Sequence, residues 1–187
     1  MMQIDYDKIS VDMEEQFQIY HRLLVSPING INWENLLYNS LIKQSDDVLW
    51  NPGSHQVGTD ITYNDIRISC KGGRMKGKKK PKFTVSSHRT TSKKTLEEKI
   101  NYLSENHEDV FFCLSYKEDL PNHHYTLYTF DSDILDYRSL NWKKTKDGWK
   151  GIGNTFVARI HKSMSDQLWL DIPLSLLNER AIIEIPK

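Results

Sequence analysis

Cysteine is scarce in this chain, which has only Cys70 and Cys113, far apart among 187 residues. Two such thiols provide neither a disulfide framework nor a cysteine-based zinc site; both lie in apolar, strand-like runs and are expected in the core. No apolar run approaches the roughly 20 residues a membrane span needs. The opening Met1-Met-Gln-Ile-Asp-Tyr-Asp lacks the basic-then-apolar order of a signal peptide. A cytoplasmic protein with no membrane partner is therefore expected. With 9 glycines and 6 prolines, nothing is collagen-like or of low complexity, and one α/β domain over residues 1–187 is the expectation.

Net charge is also lacking, since 25 basic side chains face 25 acidic ones, but the charges are unevenly distributed. Residues 1–66 hold 3 basic and 10 acidic side chains, residues 67–99 hold 12 and 2, and residues 100–187 hold 10 and 13. The densest part is 74–82, with Arg74, Lys76, Lys78, Lys79, Lys80 and Lys82. Its glycines and its proline predict a mobile loop. Such a loop is either a solvated surface or a source of phosphate contacts, which supply most of the affinity in protein–DNA complexes.

Helical spacing of Met13, Phe17, Tyr20, Leu23 and Leu24 predicts a helix over 12–24 capped by Asp12. A second helix is expected from Asn32, with Trp33, Leu36, Leu37 and Leu41 on one stripe and Glu34 in the first turn. Asn64-Asp65 is a two-residue turn signal between β-branched runs at 57–63 and 66–70, hence a hairpin. Counting outward pairs Tyr63 with Ile66, Thr62 with Arg67, Ile61 with Ile68 and Asp60 with Ser69. Paired residues share a face and alternate residues return to it, so Asp60, Ser69 and Lys71 share one face while Ile61 and Ile68 enter the core. A strand at 83–87 follows, then a helix through 94–103 capped by Ser92 or Thr95, and strands at 109–116 and 125–130. That order suggests a mixed central sheet with helices on both faces. His123 and His124 are expected in a loop between strands, 148–156 as a loop leading to a strand, and 163–173 as a strand or short helix. Trp142, Trp149 and Trp169 are expected in the core or at a dimer interface.

Asp60 at a strand end, with Ser69 and Lys71 on the next strand, resembles the PD-(D/E)-x-K nuclease superfamily and, within it, the type II restriction endonucleases. The helix bearing Glu34 before the hairpin, and the helix after it, are similar to that family's core order. The likeness covers roughly residues 32–130, leaving 131–187 for DNA recognition or dimerisation. Thr59 replaces the usual proline, and Ser69 stands where a middle carboxylate is expected.

The resemblance implies a restriction-endonuclease-like fold and Mg²⁺-dependent hydrolysis of double-stranded DNA at a short specific sequence. Asp60 and the Cys70 backbone carbonyl would be metal ligands, completed by Glu34 or else by Glu97 or Glu98. Lys71 would orient water or stabilise developing phosphorane charge. His88 and Arg89 after the third strand are expected to face DNA, as are the basic residues of 74–82; Arg89 pairing with Glu97 or Glu98 is the alternative. Ser165 and Gln167 are of types that read bases. A two-fold homodimer is expected from the symmetry of palindromic sites. The alternatives are a non-catalytic DNA-binding module that lost its metal with Ser69, and a repair or junction-resolving nuclease.

Overall fold

In the computed structural model, the described residues are 3–50, 59–77, 79–119 and 121–187, without the side chains of 118 and 119. Helix α1 runs Tyr6–Leu23 and is capped by Asp5, whose side chain accepts from the Lys8 N–H. It therefore starts six residues earlier than expected, with Ile9, Met13 and Phe17 as its buried stripe. Asp12 is not a cap. It accepts from Ser40 Oγ at 2.6 Å and Lys43 Nζ at 2.5 Å, tying α1 to the next helix. Helix α2 spans Gly30–Leu41 with Asn29 as cap, burying Trp33, Leu37, Ser40 and Leu41.

The strands follow: β1 (Val48–Trp50), β2 (Ile61–Tyr63), β3 (Ile66–Lys76) and β4 (Lys82–Arg89). Helix α3 (Leu96–Glu105) leads to β5 (Val110–Asp119) and β6 (Asn122–Asp131). The remaining strands are β7 (Asn141–Thr145), β8 (Gly148–Ile152), β9 (Val157–His161), β10 (Gln167–Pro173) and β11 (Asn178–Pro186). The segment 148–152, expected as a loop, is thus a strand, and both ends of the basic segment 74–82 are strand as well, 74–76 in β3 and Lys82 in β4. Only 77–81 connect β3 to β4. Lys78 and the first part of the expected strand at 57–63 lie outside the described residues.

Among the described residues the strands form one mixed sheet ordered β11-β6-β5-β3-β4-β10-β9-β8-β7, with β2 and β1 branching from β3. Every pair is antiparallel except β3 and β5, which α3 connects by a crossover. Parallel neighbours need such a connection. One face of the sheet packs on α1 and α2 through Phe17, Trp33, Ile61, Ile68, Cys70 and Phe112. The other buries Phe83, Val85, Leu103, Phe111, Cys113 and Leu170. Alternation along β5, where Phe111 and Cys113 face one cluster and Phe112 the other, is what two covered faces require. Both cysteines are buried free thiols. Among the described residues no helix is long and apolar enough to cross a membrane.

Candidate active site

Asn64 and Asp65 adopt φ of 46° and 70°, the left-handed pair a tight hairpin turn demands. The register is the expected one: Tyr63 opposite Ile66, Thr62 opposite Arg67, Ile61 opposite Ile68. Asp60 sits just outside β2, and its N–H donates to the Ile68 carbonyl at 2.9 Å. That bond carries the carboxylate across to Ser69.

Strand β3 pairs with β2 through 66–68 and with β4 through 73–76 on one edge, while β5 pairs along 68–73 on the other. Among the described residues no strand pairs with 69–72 on the first edge, so the sheet forks there. Asp60, Ser69, Cys70 and Lys71 occupy that fork. Asp60 Oδ2 accepts from Cys70 N at 2.7 Å, Lys71 Nζ at 3.0 Å and Ser69 Oγ at 3.2 Å. Ser69, standing where a carboxylate was expected, thus acts as a donor that orients Asp60. Burial disfavours the Lys71 ammonium, but the adjoining Asp60 carboxylate overrides it and raises its pKa. Cys70 contributes its N–H, and burial drives its thiol pKa far up.

The fork is approached from both sides. Glu34, expected in the first turn, is instead the fifth residue of α2 because the helix starts at Gly30; it is half-buried, and its pKa is raised by burial and by Asp60, with Lys71 opposing. From the other side comes Glu108, which sequence reasoning missed. It lies two residues before β5 and is 1% exposed; burial raises its pKa to about 7, with Lys71 and Asp60 among the charges that act on it. His88 is also buried, with Nε2 3.5 Å from Glu108 Oε1. Among the described residues that nitrogen has no hydrogen-bond partner, while the Ser69 hydroxyl acts on the Glu108 carboxyl and opposes part of its pKa rise. Burial, then Lys71, lowers the His88 pKa to about 4, so the ring is neutral. His88 therefore turns inward rather than standing on the surface.

The other expected residues divide clearly. Arg74 and Lys76 lie exposed on the distal half of β3 and line a cleft of about 560 Å³ that begins at Gly72 and Gly73. Lys79 and Lys80 are exposed in the hairpin loop. Lys82 is committed to the buried Asp171, which also accepts from Arg159 at 2.6 and 2.7 Å and from Thr84 at 2.8 Å. Burial opposes the Asp171 charge, but these donors override it and hold its pKa well below the usual range. Arg89 donates to Gln167 at 3.0 Å rather than to Glu97 or Glu98.

Glu97 is exposed on α3, and Glu98 closes a capping box by accepting from the Lys94 and Thr95 N–H groups. The charges acting on Glu98 are Lys93 and Lys99, not those of the fork. His123 and His124 belong to β6 rather than a loop, and His123 stacks on His21 at 3.9 Å. Trp142, Trp149 and Trp169 are half-buried.

Compared with protein-family models, curated proteins and solved structures, the chain matches none. Its chemistry must be read from the fork itself. An acid oriented by three donors, a paired lysine and a second half-buried acid provide hard oxygen ligands beside a fixed cation.

Proposed function

We propose that this chain is a Mg²⁺-dependent nuclease of the PD-(D/E)-x-K type with a restriction-endonuclease-like fold, hydrolysing double-stranded DNA at a short specific sequence. The observation that carries the reading is the fork in the sheet, where Asp60 and Lys71 are paired at 3.0 Å and Glu34 is electrostatically coupled to both.

Among the described residues no group of three or more His, Cys, Asp or Glu side chains is arranged to hold a metal ion. Magnesium does not require one, since it typically takes one or two carboxylates together with substrate phosphate and water. Asp60 and Glu34 fit that demand, with the Cys70 carbonyl as a further oxygen. An ion held there would neutralise phosphate charge and lower the pKa of a bound water.

The chain's own groups do the rest. Ser69 Oγ and the Cys70 N–H fix Asp60 in one orientation. Lys71 keeps a cation where negative charge builds on the phosphate oxygens, in a site poor in water where such a charge acts strongly. Burial and then the Asp60 charge raise the Glu34 pKa, and a cation held between the two carboxylates would relieve the repulsion between them. Arg74, Lys76, Lys79 and Lys80 make no ion pair among the described residues and are available to phosphates. Strands β7 to β10 extend the sheet beyond β4 and would carry recognition or the two-fold dimer contact of an enzyme that cuts both strands of a palindrome.

A second reading rests on Ser69, whose hydroxyl replaces a metal-binding carboxylate: a DNA-binding module without catalysis. Incubation with plasmid and Mg²⁺ separates the readings. Discrete fragments that vanish with EDTA support the restriction reading, and unspecific nicking favours a repair or junction enzyme. Binding without cutting, in Mg²⁺ or Mn²⁺, leaves only the module.

A further inference from the structure

The cleft that starts at the fork has aromatic walls, with Trp33, Tyr116 and Trp169 lining it alongside Arg74 and Lys76. Its size falls within the range of pockets that enclose small organic ligands. The indole N–H of Trp169 is shielded from solvent yet has no acceptor among the described residues, an unsatisfied donor that is costly to leave buried. Gly72 presents no side chain to this space, and a Cβ built there would meet no atom within 4 Å.

Pairing registers extend the surface beyond the cleft. Trp169 pairs with Arg159, Arg159 with Lys150, and Lys150 with Lys143. Directly paired residues share a sheet face, and adjacent strands lie about 4.8 Å apart. Lys143, Lys150 and Arg159 therefore form a cationic row that ends at Trp169. Arg159 is neutralised by Asp171, whereas Lys143 and Lys150 make no ion pair among the described residues. Cations along a track and aromatic rings at its end are what single-stranded nucleic acid requires, since phosphates follow charge and every base has a face to stack.

We infer that this cleft binds one unstacked nucleobase of a nucleic-acid strand, with Trp169 as the stacking platform and the Lys143–Lys150 row guiding the adjoining backbone. The inference deepens the nuclease reading, on which it rests for the class of ligand. It places an extruded or unpaired base beside the phosphate at the fork, so the preferred substrate has a base that is easily unstacked.

The test uses fluorescence anisotropy in EDTA with an end-labelled thymidine 12-mer and an abasic oligonucleotide of equal length and charge. Wild-type protein is expected to prefer the base-containing strand by about 5- to 150-fold, the range for one base stacked on an aromatic ring. Trp169→Ala is expected to abolish that preference. Gly72→Val, which fills the cleft from a position with room for a side chain, should do the same while circular dichroism stays native. Lys143→Ala with Lys150→Ala should weaken both strands equally. Equal binding of the two strands by wild-type protein, or a preference retained in both Trp169→Ala and Gly72→Val, overturns the inference. Cleavage is scored separately with Mg²⁺. A protein that prefers bases but never cuts refutes the nuclease reading alone, and one that cuts without the preference refutes the base site alone.

Discussion

Replacing Asp60 by Asn probes the fork before any substrate is added. Asp60 is 3% exposed and its Oδ2 accepts from Ser69, Cys70 and Lys71. An amide oxygen can keep the Ser69 and Cys70 bonds but removes the charge facing Lys71, whose side chain is 20% exposed. A hydrogen bond between charged groups contributes about 1.5–3 kcal/mol, and stranding one member of a buried pair costs about 3–5 kcal/mol. With a fifth of Lys71 still reaching water, the expected loss is about 3 kcal/mol. For a chain of this size that lowers the melting temperature by about 6–12 °C.

Lys71→Met strands Asp60 instead and should cost a similar amount. The double variant removes both charges, so its loss should fall short of the sum of the two by about 2 kcal/mol. Urea unfolding followed by tryptophan fluorescence in EDTA gives all four stabilities. Single losses below about 0.5 kcal/mol, or losses that simply add, would refute the pairing and with it the electrostatic basis of the site.

Three further outcomes are expected. The folded state retains a proton on Glu108 up to about pH 7, while the unfolded chain releases it near the ordinary 4.5. Stability from this group is therefore lost as pH rises from 4.5 to 7, by at most about 3 kcal/mol at about 1.4 kcal/mol per pH unit. His88 acts oppositely, losing stability as pH falls from 6.5 to about 4. Glu108→Gln isolates the first effect: in urea titrations its stability relative to wild type should grow by about 3 kcal/mol between pH 4.5 and 7.5, and a difference independent of pH contradicts the buried state of Glu108. Gly73→Ala should lose about 1–3 kcal/mol by overpacking, because its Cβ would lie 2.2 Å from the Phe83 ring. Gly72→Ala, facing open space, should change stability by less than about 0.5 kcal/mol, and equal effects of the two would disprove the assigned faces of β3. Asp171→Ala should cost about 3 kcal/mol by leaving Arg159 and Lys82 unpaired, measured in the same way; a neutral result would show that these ions are solvated.

The hairpin was legible in the sequence because its determinants are local. A two-residue Asn-Asp turn sets the register, and a period of two then fixes which side chains share a face. The capping box of α3 was equally legible as Thr95 followed three residues later by Glu98. Recognising it would have removed Glu98 from the candidate metal ligands.

The fork was not legible, since it depends on where β2 stops and β4 begins along β3 and on the parallel register with β5. Glu108 reaches the site only through that register. Its neighbour Asp109 instead faces outward, its carboxylate accepting from the Arg67 guanidinium at 3.0 Å. Lys82 looked like one more member of a basic run until Asp171, 89 residues away, was brought beside it. Composition identified the segment from which cations emerge, but only tertiary pairing separates those neutralised by a carboxylate from those left for a phosphate.

The most direct measurement compares wild-type protein with Asp60→Asn, Lys71→Met and Glu34→Gln on one DNA, with binding followed in EDTA and cutting followed after Mg²⁺ is added. The account predicts that all four bind within about tenfold of one another, a difference of about 1.4 kcal/mol, and that only the wild type cuts at an appreciable rate. Cutting by Asp60→Asn or Lys71→Met at the wild-type rate, or a wild type that binds DNA and leaves it intact with Mg²⁺ and with Mn²⁺, would contradict it.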